Sequence, residues 1–511
     1  MVVTSPASVT PPLTPPRLAP IAWRWILAVA GITLAVLVAL SGRYGYHRDE
    51  MYFIEAGHHL ALGYPDQPLL TPLVAWTMNS LAPHSLLVLR LPAAAAGIAS
   101  IVSAALIARE IGGGRRAQAI AATSCAVGAV TLATSHFLTT TALDLAFTSV
   151  AWWLLVRLLR SADERLWAAL GAVLGLALLN KLVAGAILGS AIVALAALGP
   201  RQLLRSRWVW VGAALAVLGV LPYLIWQFGH GLPQLDLVRA ESESGDEGGR
   251  AGFLPFQLVL EGPLLVPVWL SGLVGLLRRP DWRRYRCLGW AYLALVVLLL
   301  ISSGKAYYLA GFYPLLLGFG AVPVDAWLAR GKRGGRARVA WLAVAIVITA
   351  LINAVIALPV LPARQLPNSA TIGLNSDIGE EVGWPAFTRT VAGVYDRLPA
   401  ATRQRTAIFT SNYGEAGAID LLGPADGLPN AYSGHNGFTQ WGPPPDSQTS
   451  AIVVGDLDDN LLARDFSGCR TEARINNGVG LNNNEQGDPV AFCAAERAPW
   501  SAIWTGLRHY N

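Results

Sequence analysis

About eleven apolar stretches, each near the length that crosses a bilayer, fill most of the first 360 residues and constrain the fold before any motif is considered. They lie at 25–40, 86–108, 117–135, 143–159, 166–180, 182–199, 208–226, 258–277, 287–302, 307–328 and 339–358, and the 166–199 pair is the least clearly separated. Composition agrees: 54% of the 511 residues are hydrophobic and 14% charged, against about 25% charged in a soluble domain. Disordered, collagen-like and disulfide-scaffold classes are excluded, and a polytopic α-helical membrane protein is predicted.

The net charge of +6 is almost all arginine, since Lys181, Lys305 and Lys332 are the only lysines, and it does not gather into a nucleic-acid patch. With a cytosolic N-terminus, alternate connections carry twenty-one cations, ending in Arg278 to Arg286 and Arg330 to Arg338, against seven on the other side. That asymmetry sets orientation by the positive-inside rule. Residues 1–24 read as a disordered cytosolic tail, and the first apolar run lacks a small-residue cleavage site, which favours an uncleaved span. An odd number of spans places residues 361–511 outside.

This outer segment turns polar after Pro359 and Pro362. Strands are expected at Thr406 to Thr410 and Ala451 to Gly455, and helices at Glu415 to Leu422 and Leu461 to Phe466, giving a small α/β domain of about 150 residues. Cys469 and Cys493 fall in it and are either a disulfide or two buried thiols, whereas Cys125 and Cys287 look structural. The chain has no CxxC, HExxH, P-loop or GxGxxG followed by a helix, so neither ATP-driven pumping nor zinc proteolysis is indicated.

Charge away from the cytosolic face is costly in such a protein, and it concentrates in the first outer loop, 41–85. Asp49 and Glu50 leave the first span as adjacent carboxylates, either a solvated pair or a general base on a partly dry surface. His47, Arg48, Tyr52, His58, His59, Tyr64 and Asp66 crowd the same loop.

Arg48-Asp49-Glu50, the Tyr52-Phe53-x-x-Ala56-Gly57 continuation, Asp66-Gln67-Pro68 and Arg90-Leu91-Pro92 resemble the family 39 glycosyltransferases of the GT-C superfamily, which include protein O-mannosyltransferases and lipid A aminoarabinose transferases. The likeness continues through Leu138 to Asp144, Asn180-Lys181, Pro222 to Pro233, Gly304 to Tyr308, Ser411 to Gly417 and Tyr432 to Asn436. It implies a GT-C transmembrane domain over 25–360 and a hexosyl- or pentosyltransferase at a bacterial-type plasma membrane. Such an enzyme takes its donor from a polyprenyl-phosphate-sugar and passes the sugar to a lipid, protein or polysaccharide acceptor on the outer face. Asp49 matches the family's catalytic acid, with Glu50 beside it, and Arg90 matches its lipid-phosphate arginine.

Lys181, and Lys305 beside Tyr307 and Tyr308, are each a phosphate ligand or an interface anchor. Asp144 binds a sugar hydroxyl or caps its helix, and Asp66 and His59 complete the substrate-binding candidates. Many relatives carry lysine where this chain has Gln67, so the resemblance implies that phosphate recognition leans on other cations or that the donor differs. No cofactor is required on this reading, and a divalent metal would have only Asp66 and His230 as ligands. The rival reading is a lipid or sugar transporter or flippase, which the absence of an internal repeat disfavours.

Overall fold

The computed structural model describes residues 18–244, 249–330 and 335–510. The expected N-terminal tail lies outside them up to residue 17, as do Lys332 and Arg333 of the last cationic cluster. The chain enters through α1 (Trp23–Leu40), forms two helices of the first loop, α2 (Arg48–His58) and α3 (Leu70–Leu81), and continues as α4 (Leu86–Glu110).

Among the described residues seven helices are long and apolar enough to span a membrane: α1, α4, Thr140–Ser161, Arg207–Gly229, Pro280–Ile301, Ala306–Ala329 and Gly335–Ala357. Two more apolar stretches are bent pairs, Arg115–Val127 with Ala129–His136 at 58° and Arg250–Glu261 with Pro263–Arg278 at 83°. At the sharper bend Gly262 takes φ +95°, a conformation L side chains rarely adopt, and Asn353 donates to the carbonyls of both Val127 and Glu261, so one side chain satisfies both breaks.

The count of full-length spans is thus seven to nine, fewer than about eleven. Leu166–Leu178 and Val183–Leu198 have 13 and 16 residues, about 20 and 24 Å of helix against a hydrocarbon core of about 30 Å. The first of these nonetheless packs closely on Arg207–Gly229. A Cβ on Gly171 would stand 2.1 Å from the Gly212 carbonyl oxygen, so only small residues allow this approach.

Burial separates central spans from peripheral ones. Thr140–Ser161 and Ala306–Ala329 are mostly enclosed by other helices, while α1, Arg207–Gly229 and Gly335–Ala357 expose Trp25, Ile32, Trp210, Phe228, Trp341 and Leu351 on faces suited to lipid.

The C-terminal region contains seven strands: β1 (Thr406–Thr410), β2 (Ala431–Ser433), β3 (Ser450–Val454), β4 (Phe466–Ser467), β5 (Arg470–Arg474), β6 (Pro489–Cys493) and β7 (Ala495–Glu496). The main sheet has the order β2-β1-β3-β6-β5, with β1 parallel to β2 and β3 and the remaining pairs antiparallel. Both central strands, β1 and β3, are buried throughout, as parallel strands covered on two faces must be. A disulfide joins Cys469 to Cys493, while Cys125 and Cys287 are free and buried.

One apolar cluster crosses the boundary at residue 360. Met51, Tyr52, Phe53 and Ile54 of α2 are buried together with Val391, Ile408, Ala416, Ile419 and Ile452 of the C-terminal region. The first loop is therefore seated in the core of that region.

Candidate active site

The start of α2 sets the directions of the two adjacent acids. His47 is its N-cap: its Nδ1 accepts from the Asp49 backbone N–H at 3.1 Å, and its own N–H donates to Glu50 Oε2 at 2.9 Å, a reciprocal cap. Consecutive helix positions are about 100° apart, so Glu50 turns inward and is fully buried while Asp49 stays at the rim with its side chain 29% exposed.

Inside, Glu50 meets Arg90 in a two-point pair, Nε to Oε1 at 2.9 Å and Nη2 to Oε2 at 2.8 Å, and Oε1 also accepts from the Leu138 N–H at 3.0 Å. Arg90 donates further to the carbonyls of Ser41 and Gly45 and to Glu381 Oε2 at 3.1 Å, with His136 Nε2 3.3 Å from Nη1. Burial opposes ionisation of Glu381, yet Arg90 and His136 together hold its carboxyl down at about 2. Every guanidinium nitrogen therefore has a protein acceptor. In this arrangement Glu50 is the partner of Arg90, and Arg90 ties the first loop, α4 and the C-terminal region together.

At the rim, the Tyr413 hydroxyl donates to Asp49 Oδ1 at 2.8 Å, and the Tyr52 hydroxyl donates to Asp66 Oδ1 at 2.8 Å while accepting from the Gly437 N–H. Burial first, with nearby carboxylates adding, pushes both phenols well above their usual range, so they remain donors. Arg48 lies with its guanidinium carbon 5.2 Å from the Tyr413 ring centre and its Nε 3.9 Å from Asp49.

A second cluster unites residues from distant segments. Lys181 Nζ bonds Thr141 Oγ1 at 3.0 Å and stands over the rings of Tyr307 and Tyr308, at 5.4 and 5.7 Å. These residues and the buried Asp144 line one pocket, into which Asp144 Oδ1 brings no protein hydrogen bond. Lys305 sits next door, capping the 3-10 turn that carries both tyrosines. Asn180 ties this cluster to the first loop, accepting from Thr71 Oγ1 at 2.6 Å and donating to the Thr140 carbonyl at 2.7 Å. Gln67, in the turn between Asp66 and α3, is buried, and among the described residues neither amide atom has a hydrogen-bond partner.

Two sequence candidates lie apart. His59 pairs with Glu55 at 3.3 Å and stacks on Trp441 at 4.6 Å. His230 stacks on Trp226, its Nδ1 2.8 Å from the Trp226 carbonyl. Among the described residues no three His, Cys, Asp or Glu side chains are grouped to hold a metal; Asp66 accepts from Tyr52, and His230 lies against its own helix. Sequence reasoning missed Tyr413, Glu381 and His136. Tyr413 lies inside the Ser411 to Gly417 motif, the one available signal.

Residues 66–226 match the family model of dolichyl-phosphate-mannose-protein mannosyltransferases. No curated protein matches the chain. Among solved structures, ArnT from Cupriavidus metallidurans bound to undecaprenyl phosphate is 18% identical with a TM-score of 0.60, and the match covers 92% of this chain and 98% of that one. The apo form of ArnT is 16% identical at 0.59 over the same shares. The arabinofuranosyltransferase AftD from Mycobacteria is 15% identical at 0.50, over 94% of this chain and 42% of that one. The chain has the fold of ArnT, with the apolar helices of a multi-pass membrane protein. Over residues 66–226 it resembles the mannosyltransferase family.

Proposed function

We propose that this protein transfers a sugar from a polyprenyl-phosphate carrier to an acceptor hydroxyl on the outer face of a bacterial-type plasma membrane, with Asp49 as general base. The observation that carries the reading is the division between adjacent acids: Glu50 is consumed by Arg90, whereas Asp49 is held by one hydroxyl and keeps a solvent-accessible side chain. The undecaprenyl phosphate bound by ArnT, a protein of the same fold, supports a lipid-phosphate donor.

The acceptor oxygen attacks the anomeric carbon and its proton passes to Asp49. The bond from that carbon to the phosphate oxygen breaks, and the electron pair leaves with polyprenyl phosphate, an ionised group needing no general acid. Charge growing on the leaving phosphate needs a cation near the bilayer surface. Lys181, fixed by Thr141 and two tyrosine rings at the pocket, meets that need in place of Arg90.

Asp49→Asn preserves size and hydrogen bonding while removing basicity, so turnover falls by about 10² or more, the usual share of general-base catalysis. The assay uses membranes of a deletion strain as acceptor and the polyprenyl-phosphate sugar accumulating in that strain as donor. Near-normal turnover, or no accumulated lipid-linked sugar, would falsify the proposal.

A further inference from the structure

We infer that Tyr413, supplied by the C-terminal region, is the positioning residue for Asp49, so that this region is a working part of the catalytic site. The inference rests on the function proposed above. Among the described residues the Tyr413 hydroxyl is the sole hydrogen-bond donor to the Asp49 carboxylate, at 2.8 Å to Oδ1. The two nearest cations do not take its place. Arg48 Nε stands 3.9 Å away, beyond hydrogen-bond distance, and its guanidinium is shared with the Tyr413 ring and with Glu380 at 4.0 Å. His47 Nδ1, 4.0 Å from Oδ2, already accepts the Asp49 backbone N–H, which puts the ring hydrogen on Nε2, away from the carboxylate.

The hydroxyl is itself held in place. Tyr413 opens the helix Tyr413–Leu422, whose start is locked by a reciprocal cap: the Asn412 side chain accepts from the Gly414 and Glu415 N–H groups, and the Glu415 carboxylate accepts from the Ser411 and Asn412 N–H groups. The ring packs 4.8 Å from Tyr52 and 4.9 Å from His435. Gly417, one turn on, lies so close to α2 that an added Cβ would meet Met51 at 3.2 Å, so the two helices are closely apposed there.

With Oδ1 fixed in this way, the carboxylate plane is set and Oδ2 is the atom presented to an incoming hydroxyl. Without the tyrosine hydroxyl the carboxylate rotates freely and swings toward Arg48, which costs rate through lost alignment, not through lost binding. Gly437 adds a second link from the same region, its N–H holding the Tyr52 hydroxyl that bonds Asp66.

The test compares Tyr413→Phe, Asp49→Asn and the double variant in purified full-length protein, with the accumulated lipid-linked sugar as donor and deletion-strain membranes as acceptor. Tyr413→Phe keeps the ring contacts, so the expected result is a ten- to hundredfold fall in kcat with donor KM and binding of undecaprenyl phosphate unchanged. The double variant should turn over no more slowly than Asp49→Asn alone, since the hydroxyl acts only through Asp49. Unchanged kcat in Tyr413→Phe beside an inactive Asp49→Asn overturns the positioning role and leaves the proposed function standing. So does a fall in kcat accompanied by faster proteolysis of the C-terminal region, which marks a structural loss, or a further loss in the double variant. Full activity in Asp49→Asn overturns the function itself.

Discussion

Arg90 and Glu50 are joined at two points, Nε to Oε1 and Nη2 to Oε2, although the sequence offers both as separate members of a catalytic or binding set. The pairing ties α2 to α4 beneath the rim that carries Asp49. Arg90→Ala leaves Glu50 and Glu381 buried without their shared cation, a change of the kind that costs about 3–5 kcal/mol. The expected outcome is a large drop in the thermal unfolding temperature of the purified protein, with undecaprenyl phosphate bound normally by whatever fraction stays folded. A stable variant that has lost only lipid binding would return Arg90 to the phosphate site.

Lys181→Ala is expected to weaken binding of undecaprenyl phosphate about tenfold or more while leaving thermal stability nearly unchanged, because it removes a fixed charge from a pocket wall rather than from the buried frame. Titration with the lipid phosphate in nanodiscs reads this directly. Equal affinity in wild type and variant places the phosphate elsewhere, with Lys305 the next candidate.

Glu415 gives the seating of the C-terminal region a pH dependence. Burial, with Asp488 adding, raises its carboxyl from the ordinary 4.5 to about 8 in the folded protein. Below pH 4.5 both folded and unfolded forms hold the proton and the full stability is present; as pH rises toward 8 only the unfolded form releases it, so stability is progressively lost. Asp420, raised to about 8 chiefly by burial, acts in the same sense, while Glu55, lowered to about 2 by His58 and His59 against its burial, acts only in more acid solution. Protease resistance of residues 361–511 should therefore decline between about pH 4.5 and 8, with a shallower slope in Glu415→Gln. An identical slope in that variant would assign the effect to another group.

A reporter active only outside the cytosol, fused after Asn511, should be active, given the twenty-one cations on alternate segments and the Cys469–Cys493 disulfide, a bond that persists in oxidising compartments. The two short helices, Leu166–Leu178 and Val183–Leu198, come as a pair, so the parity of the count does not depend on whether they are included. Activity of a cytosol-only reporter at the same position would reverse the orientation.

The spans and the strands at 406–410 and 450–454 were legible because hydrophobic runs are local patterns. The bends were not. Runs 117–135 and 258–277 read as continuous, since hydropathy does not register a change of direction, and only Gly128 and Gly262 mark the breaks. Pairings between distant residues were equally hidden. Nothing at Glu50 announces Arg90, and nothing at Asp49 announces a tyrosine 364 positions later. Lys181, Tyr307, Tyr308 and Asp144 could be nominated one by one from the cost of polar groups in a membrane, but not their convergence on one pocket.

Glu381 follows Arg90 by 291 residues, so at about 5–20 residues per second the ribosome delivers it roughly 15–60 s after the arginine has been made. During that interval the spans are already being inserted, and the floor beneath the first loop lacks one of its carboxylates. A transcript cut short after the last span yields every membrane helix yet no finished floor. Biosynthesis of this protein is thus completed from its far end, and the final third of the message sets when the first fifty residues reach their working shape.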